Sequence, residues 1–274
     1  HRGFHTSMRE RGGAQVENET KPGQAIGDGG RFRVYYQPVV SLETGLLSGF
    51  EALVRMRRPD GSMVPPIDFI PLAEQTGLIV GIGSWVLTEA CRQMRAWQQR
   101  YPDHPPLQIS VNLAGRQFTE PDLVEQIAAV LAETGLDTAS LKLEVTETVL
   151  MEHVDAATVV LEKLNTMGIR LLMDDFGTGY SSLSYLHRFP IKTLKIDGSF
   201  VCRMDVDRKN ADIIQTIVTL AHTLNMDIIA EGVENARQLE LLRALKVEHG
   251  QGYHFGKPLD AEAAEAMIAA RPVW

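Results

Sequence analysis

Between Phe32 and Tyr253 the chain repeats one pattern: a short run with strand character, then a segment whose apolar residues recur at helical spacing. Strand-like runs fall at about 33–39, 49–54, 107–112, 141–145, 170–174, 193–197, 227–230 and 248–253. Helical spacing is clearest over Trp85–Trp97, Leu123–Leu131, Ala157–Leu164, Ile213–Leu224 and Leu239–Leu245. Eight strands alternating with helices over roughly 240 residues is the count and size of a TIM-type (β/α)8 barrel. The expected class is therefore α/β. A doubly wound open sheet would suit the same alternation, but no glycine-rich phosphate fingerprint follows the first strand.

Bulk properties exclude several function classes. The net charge of −8 argues against broad DNA binding, which needs a basic footprint, yet leaves room for a small anion held by metal ions. Cys91 and Cys202 are the only cysteines, so a disulfide framework is not expected and a reducing compartment, the cytoplasm, is. No window approaches 18 uninterrupted apolar residues. The chain starts on a histidine with no apolar run behind it, which reads as a fragment without a signal peptide. Any membrane attachment of a longer protein would lie in segments outside it. Residues 1–30, rich in Gly, Glu and Arg and without periodicity, read as a linker or tail, which leaves 31–274 as the domain.

The densest chemistry lies between Arg170 and Ser182. A short apolar run, Ile169–Met173, is followed by adjacent carboxylates, Asp174 and Asp175, and then by Gly177 and Gly179. Neighbouring strand residues face opposite ways, so both acids can serve one site only where the strand is ending. Two carboxylates about 4 Å apart at an effective dielectric near 20 repel by roughly 4 kcal/mol, so a cation between them is expected.

Polar residues at the C-terminal strand ends of such a barrel are site candidates. In order these are Glu51, Asn112, Glu144, Asp174 with Asp175, Lys195 with Asp197, Glu231 and Gln251. A set of carboxylates, an amide and a lysine is a hard, all-oxygen site that suits Mg²⁺ or Mn²⁺ better than zinc. His153, His187, His222, His249 and His254 fall on helices, helix ends or off-register positions. Several acids without a His or Cys nucleophile point to two-metal hydrolysis of a phosphodiester.

These residues resemble a known family closely. Glu51-Ala52-Leu53 matches the E-A-L signature of the EAL domains, the cyclic di-GMP phosphodiesterases. The likeness continues through Y-Y-Q-P at 35–38, S-V-N-L at 110–113, L-E-V-T-E-T at 143–148 and D-D-F-G-T-G-Y-S-S-L at 174–183. It extends through K-I-D at 195–197, E-G-V-E at 231–234 and Q-G-Y at 251–253. His254 and Gly256 depart from the family's usual residues. The resemblance implies a barrel whose first strand runs antiparallel to the rest, and hydrolysis of the bacterial second messenger cyclic di-GMP to linear pGpG.

The resemblance also assigns roles. Glu51, Asn112, Glu144 and Asp174 would surround one metal, with Asp174 and Asp175 reaching the second. Glu231 would be a ligand or base beside them, and Lys195 would hold or polarise the attacking water, so Glu231, Lys195 and Glu51 form the catalytic set. Gln37, Leu53, Arg55, Asp197 and Gln251 would contact substrate or water. The implied cofactors are two Mg²⁺ or Mn²⁺ ions, with Ca²⁺ inhibitory.

Glu147 has the opposite strand parity to Glu144 and should not join it on a metal, and one reading is a solvated acid that caps the next helix. The resemblance offers another role, as anchor of the loop Phe176–Ser182. A homodimer through residues 176–190 is implied, as are regulatory domains in the full-length protein. The segment F-H-T-S-M-R-E-R at 4–11 resembles the connector that follows a GGDEF domain. The alternative function is a catalytically silent EAL module that acts as a cyclic di-GMP receptor. Such modules lose acids from the signature segments, and this chain keeps them.

Overall fold

The fold was obtained as a computed structural model, which describes residues 30–152, 154–178 and 186–274. The proposed tail therefore lies outside the described residues, except for its last position. Nine strands are described: β1 Phe32–Ser41, β2 Leu47–Arg57, β3 Met63–Val64, β4 Gln108–Asn112, β5 Leu141–Thr146, β6 Arg170–Phe176, β7 Thr193–Ile196, β8 Asp227–Ala230 and β9 His249–Gln251.

Eight of them close a barrel. The strand order is β1-β9-β8-β7-β6-β5-β4-β2, and β1 also pairs with β2 to shut the ring. β1 is antiparallel to both neighbours, while every other ring pairing is parallel. This is the expected TIM-type barrel with a reversed first strand. The ninth strand, β3, pairs antiparallel with the far end of β2, outside the ring. At two residues it is too short to leave a periodic signal in sequence.

The ring is jacketed by helices, among them α1 Pro66–Thr76, α2 Leu78–Arg100, α3 Leu123–Thr134, α4 Glu147–Glu152 and α5 Val154–Thr166. After β7 come α6 Gly198–Val201 and α7 Arg208–Thr223, then α8 Ala236–Ala244 and α9 Ala261–Ala270. The helical spacing read from sequence is what packs. In α3, Leu123, Ile127 and Leu131 are buried at i, i+4, i+8, and the helix stops at Gly135, whose φ of 69° is open to glycine at little cost. In α2 the buried stripe ends on Trp97, whose ring meets Tyr36 at 4.8 Å and Phe50 at 5.3 Å. Each such side chain taken out of water contributes about 1.5–3 kcal/mol. No single helix among the described residues is long and apolar enough to cross a membrane.

Two features position the site. Val39, Leu172 and Ile229 form a buried cluster of their own, separate from the main core. They share strand parity with Gln37, Asp174 and Glu231, so they plug the barrel interior beneath those residues. Gly49 lets β2 lie close to β4: a Cβ there would sit 2.0 Å from the Gln108 carbonyl oxygen, so Gly49→Ala would push these strands apart.

Some boundaries differ from the sequence reading. β2 runs on to Arg57 because β1 and then β3 pair with it, so Glu51 lies mid-strand and not at a strand end. The final strand covers only 249–251, not 248–253. Residues 252–256 are held in a turn, with Phe255 N–H and Gly256 N–H both donating to the Gly252 carbonyl.

Candidate functional site

Lys195, on β7, is fully buried and is the hub of the site. Its Nζ lies 2.6 Å from Glu144 Oε2, 2.7 Å from Glu231 Oε1, 3.3 Å from Glu51 Oε2 and 3.5 Å from Asp174 Oδ1. Three strands, and the residue just past a fourth, thus deliver one carboxylate each to a single ammonium. Asn112 Nδ2 donates to Glu51 Oε1 at 2.7 Å. Gln251 Nε2 donates to Glu51 Oε2 at 2.6 Å and to Gln37 Oε1 at 3.2 Å. Register explains these meetings: Gln37 is directly opposite Glu51, and Asn112 opposite Glu144.

The adjacent aspartates share the site through a β-bulge. β6 and β7 pair Met173 with Leu194 and then Phe176 with Ile196, so Asp174 and Asp175 together oppose Lys195 alone. Asp175 takes a left-handed conformation, φ 55°, which Asp tolerates better than most residues. Carboxylate oxygens of Asp174, Asp175 and Glu231 come within 4.8 Å of one another. Strand alternation alone would have sent one aspartate outward.

The charge balance is uneven. Four carboxylates against one buried ammonium leave a formal excess of three negative charges, and Asp175 adds a fourth. Buried charge without compensation is expensive, and the pKa values respond. Burial, reinforced by the Glu51 charge, pushes Glu144 up to about 8 despite Lys195. Burial raises Glu231 to about 7, with Lys195 opposing and Asp174 assisting. Burial and then the Asp174 charge raise Asp175. Glu51 moves the other way: burial disfavours its charge, but Lys195 and the hydrogen bonds from Gln251 and Asn112 outweigh it. Burial opposes the Lys195 charge too, yet Glu144, Glu51, Glu231 and Asp174 hold it well above the usual lysine value.

Divalent cations would relieve this excess, and the residues fit them. The donor set is all oxygen, Asp174, Asp175 and Glu231 each offer an oxygen to one point, and Glu144 Oε1 is buried with no hydrogen-bond partner.

The remaining candidates are not among the partners of Lys195. Arg55 is half-buried, lies 5.9 Å from the Tyr35 ring centroid and donates to the Val54 carbonyl at 2.9 Å. Leu53 is half-buried on the same strand face. Asp197 caps α6, its Oδ1 accepting from Ser199 N–H at 2.9 Å. Glu147 is buried, not solvated, which corrects the reading of it as an exposed cap. Its Oε2 accepts from Gly177 N–H at 3.4 Å, and its Oε1 has no partner. Of the proposed dimer segment 176–190, residues 179–185 lie outside the described residues.

Sequence reasoning passed over Tyr35, which lies under Arg55, and the group Asp205, Asn235 and Gln238. Asn235 Nδ2 and Gln238 Nε2 both donate to the Asp205 carboxylate, at 3.1 Å and 3.4 Å. The available signal was N-x-x-Q after E-G-V-E, a helix-start pattern.

An acid-lined parallel barrel with one reversed strand and a lysine hub is thus the class defined by fold and site. Residues 23–258 match the sequence model of the EAL domain, and the chain belongs to that family. It is 45% identical over 236 residues to the bifunctional diguanylate cyclase/cyclic di-GMP phosphodiesterase MucR of Pseudomonas aeruginosa, covering 86% of this chain and 34% of MucR. It is 39% identical over 256 residues to the cyclic di-GMP phosphodiesterase NbdA of the same organism, covering 93% of this chain and 32% of NbdA. The chain spans about a third of the length of these relatives. A solved structure of the PaMucR phosphodiesterase in complex with c-di-GMP superposes with a TM-score of 0.83 at 44% identity, covering 88% of this chain and 96% of that one.

Proposed function

We propose that this domain hydrolyses cyclic di-GMP to linear pGpG with two divalent cations, Mg²⁺ or Mn²⁺, at the site around Lys195. The observation that carries this reading is the convergence of Glu51, Glu144, Asp174 and Glu231 on one buried lysine, with Asp175 brought in by the bulge. The names of MucR and NbdA, and the c-di-GMP complex of the former, support the substrate.

Glu51, Asn112, Glu144 and Asp174 would hold one cation, and Asp174, Asp175 and Glu231 the other. Bound there, the cations supply Lewis-acid stabilisation of the phosphoryl oxygens and a lowered pKa for water. The chain's own groups do the rest. Lys195 presents a fixed positive charge and N–H donors to orient the attacking water. Glu231, less buried than Glu144, is placed to take its proton. Lys195, with Gln251 and Asn112, holds Glu51 ionised, and the two amides fix its orientation. Water would add to phosphorus as Glu231 takes its proton, the bond from phosphorus to the ribose 3′ oxygen would break, and that oxygen would leave as the hydroxyl of pGpG with a proton from solvent water. Gln37, Leu53, Arg55 and Asp197 line the approach and contact the dinucleotide. Glu147 anchors the loop that starts at Asp175.

Ca²⁺ takes more ligands with looser geometry, so it supports binding but little turnover. Assembly as a homodimer through 176–190, regulatory domains in the full-length protein and a GGDEF-type connector in the tail belong to the same reading, as does a cytoplasmic setting. The test is product formation from cyclic di-GMP with Mg²⁺, before and after EDTA. Binding without cleavage in Mg²⁺ would instead favour the receptor alternative, which the full set of acids does not.

A further inference from the structure

We infer that Gln238, with Asp205 and Asn235, is a positioning unit that locks the segment after β8 to the segment after β7 and so fixes the distance between Glu231 and Lys195. This rests on the proposed role of Glu231 beside the metals. It adds residues that touch neither metal nor substrate.

The geometry is specific. Gln238 opens the buried face of α8 and is only 1% exposed. Its Oε1 accepts from Glu234 N–H at 2.7 Å, three residues after Glu231. Its Nε2 donates to the Cys202 carbonyl at 3.2 Å and to Asp205 Oδ1 at 3.4 Å, both on the segment that follows Lys195. Asn235 repeats the link: Nδ2 donates to Asp205 Oδ2 at 3.1 Å, while Oδ1 accepts from Gln238 N–H at 2.9 Å. One amide therefore fills its acceptor and both donor directions with partners from two segments.

Apart from this clamp, the described contacts of residues 231–235 with the β7 side gather at its start, where Glu231 Oε1 lies 2.7 Å from Lys195 Nζ. Glu231 N–H donates to the Ile196 carbonyl at 3.1 Å, and Gly232, φ 69°, packs so closely that a Cβ would lie 3.0 Å from Gly198 Cα. The other backbone bonds of the segment run to the β9 side, from Val233 N–H to the Gln251 carbonyl and from His254 N–H to the Val233 carbonyl. Without Gln238 the segment keeps its β9 ties, its first residue and the Asn235–Asp205 bond, but loses the tie at Glu234. Partners behind metal ligands are worth typically 10–100-fold in metal affinity or activity, and about 1 Å of drift costs a comparable factor in rate.

The experiment uses this chain with three variants: Gln238→Met, Gln238→Glu, and Gln238→Glu combined with Asp205→Asn. Gln238→Met keeps the volume and removes every side-chain hydrogen bond while leaving its backbone N–H on Asn235. Gln238→Glu places a carboxylate against Asp205, and Asp205→Asn then supplies an amide that donates to it. In metal-free protein, hydrogen exchange at the Glu234 amide should rise about ten-fold or more in Gln238→Met, which removes its acceptor. Mn²⁺ titration should show affinity weakened about 10–100-fold in the single variants and recovered in the double one. The rate loss should be offset by raising Mg²⁺ at unchanged KM for cyclic di-GMP. Unchanged exchange and Mn²⁺ affinity in Gln238→Met, or no rescue by Asp205→Asn, would overturn the inference. Absence of turnover in the wild type would count against the proposed function instead, since exchange and rescue are read without substrate.

Discussion

Lys195 Nζ lies 2.6 Å from Glu144 Oε2, and neither side chain is more than 1% exposed. A buried pair of this kind is weak evidence for stability as a whole, but breaking it is costly, about 3–5 kcal/mol when one partner is removed. Here three further carboxylates would lose their counter-charge together. Lys195→Met should therefore lower the denaturation midpoint of metal-free protein strongly, and Mg²⁺ should recover much of the loss. Turnover should stay at least about 100-fold down even in saturating Mg²⁺, because the water is no longer oriented. Denaturant titrations with and without Mg²⁺, paired with single-turnover rates, check both halves. Near wild-type rates would show that another group positions the water.

Glu147 is expected to act at a distance. Its Oε2 accepts from Gly177 N–H, two residues after Asp175, which itself sits in a strained left-handed conformation. Glu147→Ala should leave the barrel intact while lowering turnover about 100-fold and raising the Mg²⁺ required. Steady-state kinetics over a Mg²⁺ series, with sedimentation of the same variant, measure this. Wild-type kinetics and assembly would reduce Glu147 to a buried acid with no part in the loop.

At the opposite mouth of the barrel, His249 gives a pH signature of its own. Burial, with the charges of Lys142 and Arg170, lowers its pKa from 6.5 to about 4. The unfolded chain then binds a proton that the folded one refuses between those values. The His249 contribution is complete above pH 6.5 and is lost as pH falls towards 4, up to about 3 kcal/mol. His249→Gln should flatten the stability profile in that window, read by urea denaturation in EDTA from pH 4 to pH 7.5. An unchanged slope would mean that His249 is solvated.

Much of the fold was legible because parallel strands alternating with amphipathic helices leave two clear periodicities. Ile109, Leu143 and Leu194, buried in the ring, and Ile127 and Ile217, buried on helices, fall where those periods place them. Pairing was not legible. Glu51 was expected at a strand end and lies in mid-strand, since the length of β2 depends on partners distant in sequence. The bulge that turns Asp174 and Asp175 onto one site is a mismatch between β6 and β7, invisible in either strand alone. Spacing assembled the acids but could not make Lys195 their common partner, because that follows from barrel closure. The Gln238 clamp was missed for the same reason: Asp205 is 33 residues away along the chain.

The most direct test of the central claim is cyclic di-GMP hydrolysis by this chain across metal conditions, wild type beside Glu51→Ala and Asp174→Ala. Linear pGpG should form in Mg²⁺ or Mn²⁺, stop with EDTA and return when Mg²⁺ is restored. It should be minimal in Ca²⁺ and absent in both variants, with cyclic di-AMP a poor substrate. Turnover that persists in EDTA, proceeds equally in Ca²⁺, or survives loss of either acid would contradict a metal-dependent site built around Lys195.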